Sequence, residues 1–280
     1  MTAQEFSPRP AAAQFYPVRN ELRRDLEGTV ARIADLGFRG VQPSLPTSPE
    51  LVSRELQEQI GEFMPPMFEA AELGPVLERH GLEAFAAHGP LPEGEHAQWV
   101  LDGARAIGAR CIVVSAWMIL GQGSDKAHED LELLHRTIER FNGAAETAAR
   151  HDLSIGFHNH YWEWQHDFGG RTAWEIFWDE VDPRVAAEVD VYWAHTAGQD
   201  PVDVVEKLGD RVRYLHLKDG PGTVEGAHTA LGRGVVDLEG VIRSAPAAEW
   251  HIVELDRCDG DMIDAMRESR AWLLERRLSR

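Results

Sequence analysis

Residues 154–164 read SIGFHNHYWEW, and this stretch decides how the rest of the chain is interpreted. Its first four residues are typical of a buried strand, and His158 and His160 stand two residues apart where that strand ends. Side chains two apart on a strand share one face, so both imidazoles are expected to point at one spot. Imidazole binds metals and transfers protons, although two solvated surface histidines are the plainer alternative. The stretch therefore predicts a strand that ends in a candidate active site.

Strand-like segments of this kind recur along the chain and alternate with amphipathic helices. The predicted strands span residues 11–16, 38–42, 82–88, 111–115, 154–160, 185–191, 212–217 and 250–255. Strand–helix alternation is typical of a parallel sheet. Eight such units in 280 residues match a (β/α)₈ TIM barrel of the α/β class, whose usual size is about 250 residues. An open doubly wound sheet is the main competitor, but no Gly-x-Gly-x-x-Gly follows the first strand. We expect one barrel domain over 1–280, with 1–10 as a polar leader.

The helices between these strands are predicted from periodicity and capping residues. Leu22, Leu26, Val30 and Ile33 recur at helical spacing, which predicts one helix that Gly37 closes. Ser124 is a candidate N-cap for a long helix before the fifth strand. A short helix is expected near 51–63, in a proline-rich region.

The composition limits the possible partners. The chain has 28 Lys and Arg against 47 Asp and Glu, and its net charge of −19 disfavours nucleic-acid binding. Cys111 and Cys258 show no metal-binding spacing and are expected to be reduced thiols. No apolar run approaches the length of a membrane span, and the N-terminus lacks a signal-peptide core. These features predict a soluble cytoplasmic protein without membrane or nucleic-acid partners.

Several predicted strands end in residues that can bind a metal. Because the active site of a barrel lies at the carboxyl ends of its strands, these side chains are expected to converge. The four candidates from consecutive strands are His158 (or His160), Asp190, His216 and Glu254. Burying them without a shared partner would cost several kcal/mol, whereas one divalent cation would satisfy all four. Mixed nitrogen and oxygen ligands fit Mn²⁺ first, with Co²⁺, Zn²⁺ or Fe²⁺ as alternatives, better than Ca²⁺ or Mg²⁺. A buried ion-pair network without metal is the other interpretation.

A family resemblance runs through the same strand ends. The segments that carry it are GFHNHYWE (156–163), EVDVYW (188–193), AGQDP (197–201), LHLKD (215–219), LGRG (231–234) and IVELD (252–256). In this order the chain resembles the sugar phosphate isomerase/epimerase superfamily, a xylose isomerase-like TIM barrel group in its His-Asn-His variant. The resemblance covers most of the chain from Ala11 and is strongest in the second half.

The resemblance implies a ligand set and a reaction class. Carried over by position, the metal ligands become His158, Asp190, His216 and Glu254. Related ketose epimerases have glutamate at the position of His158, and there two glutamates take part in proton transfer. With one acid replaced, Glu254 and either His160 or Glu163 are the expected catalytic groups. Inosose dehydratases and lyases of 3-oxo-glycosides resemble this variant.

The expected chemistry is proton abstraction next to a carbonyl. A divalent metal would polarise a keto-sugar or cyclic polyol ketone, a side chain would remove the neighbouring proton, and an enediolate would form. Isomerisation or epimerisation is the first expectation, and elimination by a lyase or dehydratase is the alternative. Phosphodiester hydrolysis of the endonuclease IV type is disfavoured by the acidic charge, and a sugar-binding role without catalysis is the third class. Relatives of this kind imply a homodimer or homotetramer.

The remaining candidates are expected to contact the substrate. Lys218 would hydrogen-bond sugar oxygens, or else form a salt bridge with Asp219 or Asp256. Trp162 and Trp193 offer indole faces for a sugar ring. His88 ends the third strand and either touches substrate or caps the strand. The sequence thus predicts a metal-dependent enzyme of carbohydrate metabolism with a small-molecule sugar substrate.

Overall fold

The computed structural model describes residues 6–46, 65–114 and 126–280, and eight parallel strands run through them. The strands are β1 Ala11–Gln14, β2 Gly40–Gln42, β3 Ala86–His88, β4 Cys111–Val114, β5 Ser154–His158, β6 Ala186–Asp190, β7 Val212–Leu217 and β8 Trp250–Val253. They hydrogen-bond in the order β2-β1-β8-β7-β6-β5-β4-β3. Isolated bridges from Gly40 to Glu83 and from Ser44 to His88 bring the two end strands together. The sheet is therefore a nearly closed barrel, which confirms the predicted (β/α)₈ fold.

Helices connect the strands and cover the outside of the barrel. Within the described residues they are α1 Arg19–Arg24, α2 Leu26–Asp35, α3 Ala70–Arg79, α4 Ala97–Ala106, α5 Leu131–Ala149, α6 Ala173–Glu180, α7 Val191–Thr196, α8 Pro201–Leu208, α9 Leu238–Ser244 and α10 Met262–Glu275. Their apolar faces pack on the outward-facing strand residues and form the main hydrophobic core. None of the described helices is long and apolar enough to cross a membrane.

The structure corrects two helix predictions and adds one helix that was not predicted. The single helix expected from Leu22 to Ile33 is broken at Asp25, whose extended backbone ends α1 and whose carboxylate caps α2 through Gly28 N–H. The helix before β5 begins at Leu131 with Asp130 as its N-cap, whereas Ser124 and the helix near 51–63 lie outside the described residues. Helix α7 was not predicted, because it starts immediately after β6 without a turn.

Successive side chains of each strand point alternately into the barrel interior and outward to the core under the helices. A small interior cluster fills the lower barrel, where Phe85 and Trp250 stack with ring centroids 4.2 Å apart beside Tyr214. Because side chains two apart share a face, β7 and β8 carry polar residues inward two or four positions later. On the inward face Tyr214 is followed by His216 in β7, and Trp250 is followed by Ile252 and then Glu254 at the end of β8. The interior therefore changes from aromatic at the amino ends of the strands to polar at the carboxyl ends.

A buried carboxylate organises the long loop after β7. Asp219 is fully buried and accepts hydrogen bonds from the backbone N–H groups of Gly220, Gly232, Gly234 and Val236, at 2.9–3.3 Å. A side chain at Gly234 would collide with this carboxylate, so only glycine fits there. The buried side chain of Asp219 therefore holds the backbone of the loop formed by residues 220–236.

Replacing Asp219 by alanine is expected to destabilise the protein by about 3 kcal/mol or more, because four backbone donors lose a charged acceptor. Urea unfolding of Asp219→Ala measures this free energy directly. Asp210→Ala removes an exposed carboxylate before the opposite end of β7 and should change the free energy of unfolding by less than about 0.5 kcal/mol. Equal stabilities for the two variants would contradict the assigned role of Asp219.

A second prediction concerns pH and His251, which lies on β8 at the amino end of the barrel. It is 1% exposed, and its Nδ1 lies 2.8 Å from Ser279 Oγ. Burial, and then the charge of Arg9, lowers the pKa of His251 to about 3. Below pH 6.5 the imidazole binds a proton in the unfolded chain but stays neutral in the folded chain. The free energy of unfolding should therefore decrease as the pH is lowered, by up to about 1.4 kcal/mol per pH unit.

The measurement is urea unfolding at pH 8, 6 and 5 for wild type and His251→Gln. We expect the wild-type free energy of unfolding to fall more steeply on acidification than that of the variant. The exposed His166 provides the control, since His166→Gln should follow the wild-type curve. Parallel curves for all three proteins would refute the assignment.

Candidate active site at the barrel mouth

The four residues predicted from strand ends lie together at the carboxyl ends of β5 to β8. One ligand atom from each of His158, Asp190, His216 and Glu254 lies within 4.8 Å of all the others. All four side chains are buried. Strand register explains the convergence: His158 pairs with Glu188, and Asp190 pairs with His216. The structure thus brings this set together, while its role as a ligand set remains a prediction.

Within this set, each imidazole faces one carboxylate. His216 Nδ1 lies 2.5 Å from Glu254 Oε2, and His158 Nε2 lies 3.7 Å from Asp190 Oδ2. The other nitrogen of each ring points to Glu188, deeper in the barrel. Two nitrogens and two carboxylates therefore share one small buried volume.

Lys218 lies in the same cluster and is 1% exposed. Its Nζ lies 2.9 Å from Asp190 Oδ2, 3.1 Å from Glu254 Oε2 and 3.1 Å from Asp256 Oδ1. Of the two salt-bridge partners expected from the sequence, Asp256 is therefore the one in contact. Asp219 instead binds backbone N–H groups of the following loop. A role of Lys218 toward substrate stays a prediction.

The electrostatics of the cluster favour added positive charge. Burial raises the pKa of Asp190 to about 6, against the opposing effect of Lys218. Burial alone would lower the pKa of His216, but the carboxylates of Glu188 and Glu254 raise it to about 10. Burial also disfavours ionisation of Glu254, yet Lys218 and His216 hold its pKa well below the usual value. The carboxylates thus attract a proton onto His216, at the place where the sequence predicts a cation.

The segment after β5 carries the predicted proton-transfer groups. Asn159 fixes it to β6, because its Oδ1 accepts from Asp190 N–H at 2.9 Å and its Nδ2 donates to Asp190 O at 3.1 Å. The half-buried His160 stacks on Trp162 with centroids 4.2 Å apart, and its ring centroid lies 5.1 Å from that of His158. Glu163 is fully buried, and its Oε2 accepts from His160 N–H at 2.9 Å.

Burial sets the protonation of these two groups. It lowers the pKa of His160 well below its ordinary value, with the positive charge of Lys218 acting in the same direction. It raises the pKa of Glu163 to about 8. Near neutral pH His160 is therefore an unprotonated imidazole able to accept a proton, and Glu163 mostly carries one.

The remaining predicted residues lie around the cluster. Trp193 is buried, and Lys218 Nζ is 5.6 Å from the centre of its ring. Its backbone N–H donates to Asp190 Oδ1 at 2.9 Å, so α7 begins on the carboxylate of Asp190. His88 is 6% exposed and lies 2.7 Å from Glu188 Oε1 through Nε2. Contacts of Trp162, Trp193 and His88 with substrate remain predictions.

Sequence reasoning missed the polar layer beneath the four residues. Glu188 is fully buried and lies within hydrogen-bond distance of Gln42, His88 and His216. Gln14 and Gln42 end β1 and β2 and point inward as the histidines do. The available signal was spacing: Glu188 stands two residues before Asp190 and so shares its face of the strand.

Comparison with known proteins agrees with this fold. The sequence profile of the family described as "Xylose isomerase-like TIM barrel" matches residues 30–276. An inosose dehydratase from Geobacillus thermodenitrificans (strain NG80-2) is 28% identical over 183 residues, which are 54% of this chain. The chain spans 59% of the length of that curated relative.

Two solved structures share the architecture along nearly the whole chain. A sugar phosphate isomerase/epimerase from Parabacteroides distasonis ATCC 8503 superposes with a TM-score of 0.74 at 20% identity, covering 100% of this chain and 98% of the other. A xylose isomerase-like TIM barrel protein from Mycobacterium smegmatis, in complex with magnesium, gives 0.64 at 15% identity, with 95% and 96% covered. At such identities the likeness concerns the fold. With its profile match over most of its length, the chain belongs to the xylose isomerase-like TIM barrel family.

Proposed function

We propose that this protein is a divalent-metal-dependent isomerase or epimerase that acts on a keto-sugar or cyclic polyol ketone. The observation that carries the proposal is the convergence of His158, Asp190, His216 and Glu254 at the carboxyl mouth of the barrel, with ligand atoms within 4.8 Å of one another. This is the end of the fold at which barrel enzymes place their chemistry. The reaction proposed is abstraction of the proton next to the substrate carbonyl.

The residues present fit a divalent cation. Asp190 Oδ2 is buried without a well-formed hydrogen bond among the described residues, and it lies 3.7 Å from His158 Nε2. The short contact between His216 Nδ1 and Glu254 Oε2 joins two atoms that would both be ligands. Two imidazoles with two carboxylates suit Mn²⁺, Co²⁺, Zn²⁺ or Fe²⁺, and we propose Mn²⁺ first. Bound there, such an ion supplies Lewis-acid polarisation of a carbonyl oxygen.

His160 is the proposed base. Its depressed pKa leaves an unprotonated ring nitrogen near neutral pH, and it adjoins His158 at the edge of the cluster. Glu163, protonated because burial raises its pKa to about 8, is proposed to return a proton. Glu254 stays ionised beside Lys218 and is proposed as a ligand that also assists proton transfer. Trp162, Trp193, His88 and Lys218 are proposed to contact the sugar.

Elimination by a lyase or dehydratase is the second candidate, and one observation favours it. The site offers His158 where a symmetric two-glutamate epimerase would need an acid, so acid and base are chemically different groups here. The relative at 28% identity is an inosose dehydratase. Loss of a β-substituent from the same enediolate would use the same ligands and the same base.

Hydrolysis of phosphodiesters is disfavoured. The net charge of −19 opposes approach of a polyanionic substrate.

The proposal includes a cytoplasmic location, with which the two free cysteines agree, and a homodimer or homotetramer. A small sugar is the only partner that the function requires.

Two measurements on purified protein test the proposal. Elemental analysis should find about one divalent metal per chain, and incubation with a panel of ketoses in D₂O should exchange the proton next to the carbonyl. Exchange with an epimeric product supports the lead, and exchange with loss of water supports the dehydratase. Metal without exchange would favour hydrolysis, and neither metal nor exchange would indicate a binding protein.

A further inference from the structure

Glu188 lies beneath the proposed ligand set and touches three imidazoles with one oxygen. Its Oε1 is 2.7 Å from His88 Nε2, 2.9 Å from His216 Nε2 and 3.2 Å from His158 Nδ1. In the described part of the chain, His88, His158, Glu188 and His216 form a second group compact enough to hold a metal. Glu188 is therefore either a ligand itself or the acceptor of ring protons. The positions of the hydrogens distinguish these two roles.

The hydrogen on His88 can be placed from the β1 side. Tyr16 N–H donates to Gln14 Oε1, which fixes the Gln14 amide and turns its Nε2 toward His88 Nδ1, 3.4 Å away. Because the amide nitrogen can only donate, His88 Nδ1 is the acceptor. A neutral His88 then carries its proton on Nε2 and donates it to Glu188. His88 has no lone pair directed at a metal in the deeper group.

The hydrogen on His216 follows from the β2 side. Gln42 Nε2 donates to Glu188 Oε2 at 2.5 Å, so Gln42 Oε1 is the atom that lies 2.7 Å from His216 Nε2. His216 Nε2 therefore has two oxygen acceptors, from Gln42 and Glu188, and must carry a proton. The nitrogen left for a metal is Nδ1, the one that faces Glu254.

In His158 the two ring nitrogens have the opposite roles: Nδ1 faces Glu188, and Nε2 faces the proposed metal ligands. Its Nδ1 has Glu188 as the nearest charged group at 3.2 Å and has no other hydrogen-bond partner among the described residues. Its Nε2 is directed to Asp190. A proton on Nδ1 directed at Glu188 leaves the Nε2 lone pair on the side of Asp190.

We infer that Glu188 is a positioning residue that sets the tautomers of both ligand histidines, so that His158 offers Nε2 and His216 offers Nδ1 to the cation. The inference rests on the proposed function, since it requires a metal between His158, Asp190, His216 and Glu254. It also excludes the deeper group as the metal site. A carboxylate that accepts the other ring N–H of a ligand histidine orients the ring and increases its basicity.

The first test reads the tautomers in the wild-type protein. Histidine labelled with ¹⁵N, with long-range ¹H–¹⁵N correlation spectra recorded after addition of one equivalent of Zn²⁺, distinguishes protonated from metal-bound ring nitrogens. We expect a proton on Nδ1 of His158 and on Nε2 of His216, with signals assigned through His158→Gln and His216→Gln. Metal-bound Nε2 in His216 would overturn the inference, and this result needs no Glu188 variant.

The second test measures Zn²⁺ affinity by competition with a chelator. Glu188→Gln is expected to bind about 10- to 100-fold more weakly than wild type, as for other acceptors behind ligand histidines, with one ion still bound per chain. Asp256→Asn removes a carboxylate next to Lys218 and controls for lost negative charge; it should weaken binding less and leave both tautomers unchanged.

The outcomes separate this inference from the proposed function. A Glu188→Gln protein that binds as tightly as wild type overturns the role of Glu188 while the metal site stands. Complete loss of binding, equal to that of Glu254→Ala, makes Glu188 a ligand and also overturns it. A wild-type protein that binds no Zn²⁺ removes the proposed function, and this inference with it.

Discussion

Glu254→Ala is expected to purify without stoichiometric metal and to lose turnover by about 10³-fold or more. The residue contributes a carboxylate to the proposed ligand set and lies 2.5 Å from His216 Nδ1. Loss of Lewis-acid stabilisation corresponds to several kcal/mol of barrier, and each 1.36 kcal/mol changes the rate about tenfold. Inductively coupled plasma mass spectrometry of the purified variant, together with turnover on the best ketose, measures both effects.

The matched control lies at the opposite end of the same strand. Glu249 precedes β8 at the amino end of the barrel, is 41% exposed and pairs with Arg213. Glu249→Ala should keep its metal and its turnover. Glu254 also contacts the buried Lys218, so its replacement could unfold the protein. Thermal melts of Glu254→Ala and of the isosteric Glu254→Gln therefore distinguish loss of the metal site from loss of the fold. A folded Glu254→Ala protein with full metal content would refute the ligand assignment.

His160→Ala is expected to keep its metal and lose turnover by about 10²- to 10⁴-fold, the usual contribution of a general base. The structure places His160 beside His158 but stacked on Trp162, outside the four proposed ligands. The His160→Ala protein should therefore keep its metal content and lose the exchange of substrate protons in D₂O. His166→Ala, an exposed imidazole in the same segment, should change neither.

Two results would contradict this assignment. Unchanged exchange in His160→Ala would remove it as the base and leave Glu163 or Glu254 as the candidates. Loss of metal from His160→Ala would mean that His160, and not His158, is the strand-five ligand. The geometry favours His158, because its Nε2 faces Asp190 and its ring is fixed between Asp190 and Glu188.

The barrel and the position of its polar end were predictable from the sequence. The signal is local: β5 and β6 end in His158 and Asp190, and His216 stands one residue before the end of β7. Parallel strands place such ends on one rim, so the fold class alone brings the candidates together. Strand β7 has the expected bounds, whereas β2 and β3 are shorter than the predicted 38–42 and 82–88.

The interior network could not be predicted, because it depends on contacts between distant residues. Glu188 and Gln42 are 146 residues apart in sequence and touch only because β2 and β6 line the same interior. The contact of Lys218 with Asp190, Glu254 and Asp256 likewise depends on the strand register. The helix break at Asp25 could not be predicted from hydrophobic periodicity, because the apolar face continues on both sides of this N-cap residue.

The proposed function requires that one divalent cation binds between His158, Asp190, His216 and Glu254. Anomalous diffraction from crystals soaked in Mn²⁺, recorded on both sides of the manganese absorption edge, tests it most directly. One strong peak per chain is expected, in contact with His158 Nε2, His216 Nδ1 and the carboxylates of Asp190 and Glu254. A peak among His88, His158, Glu188 and His216 instead, or no peak at the barrel mouth, would contradict it.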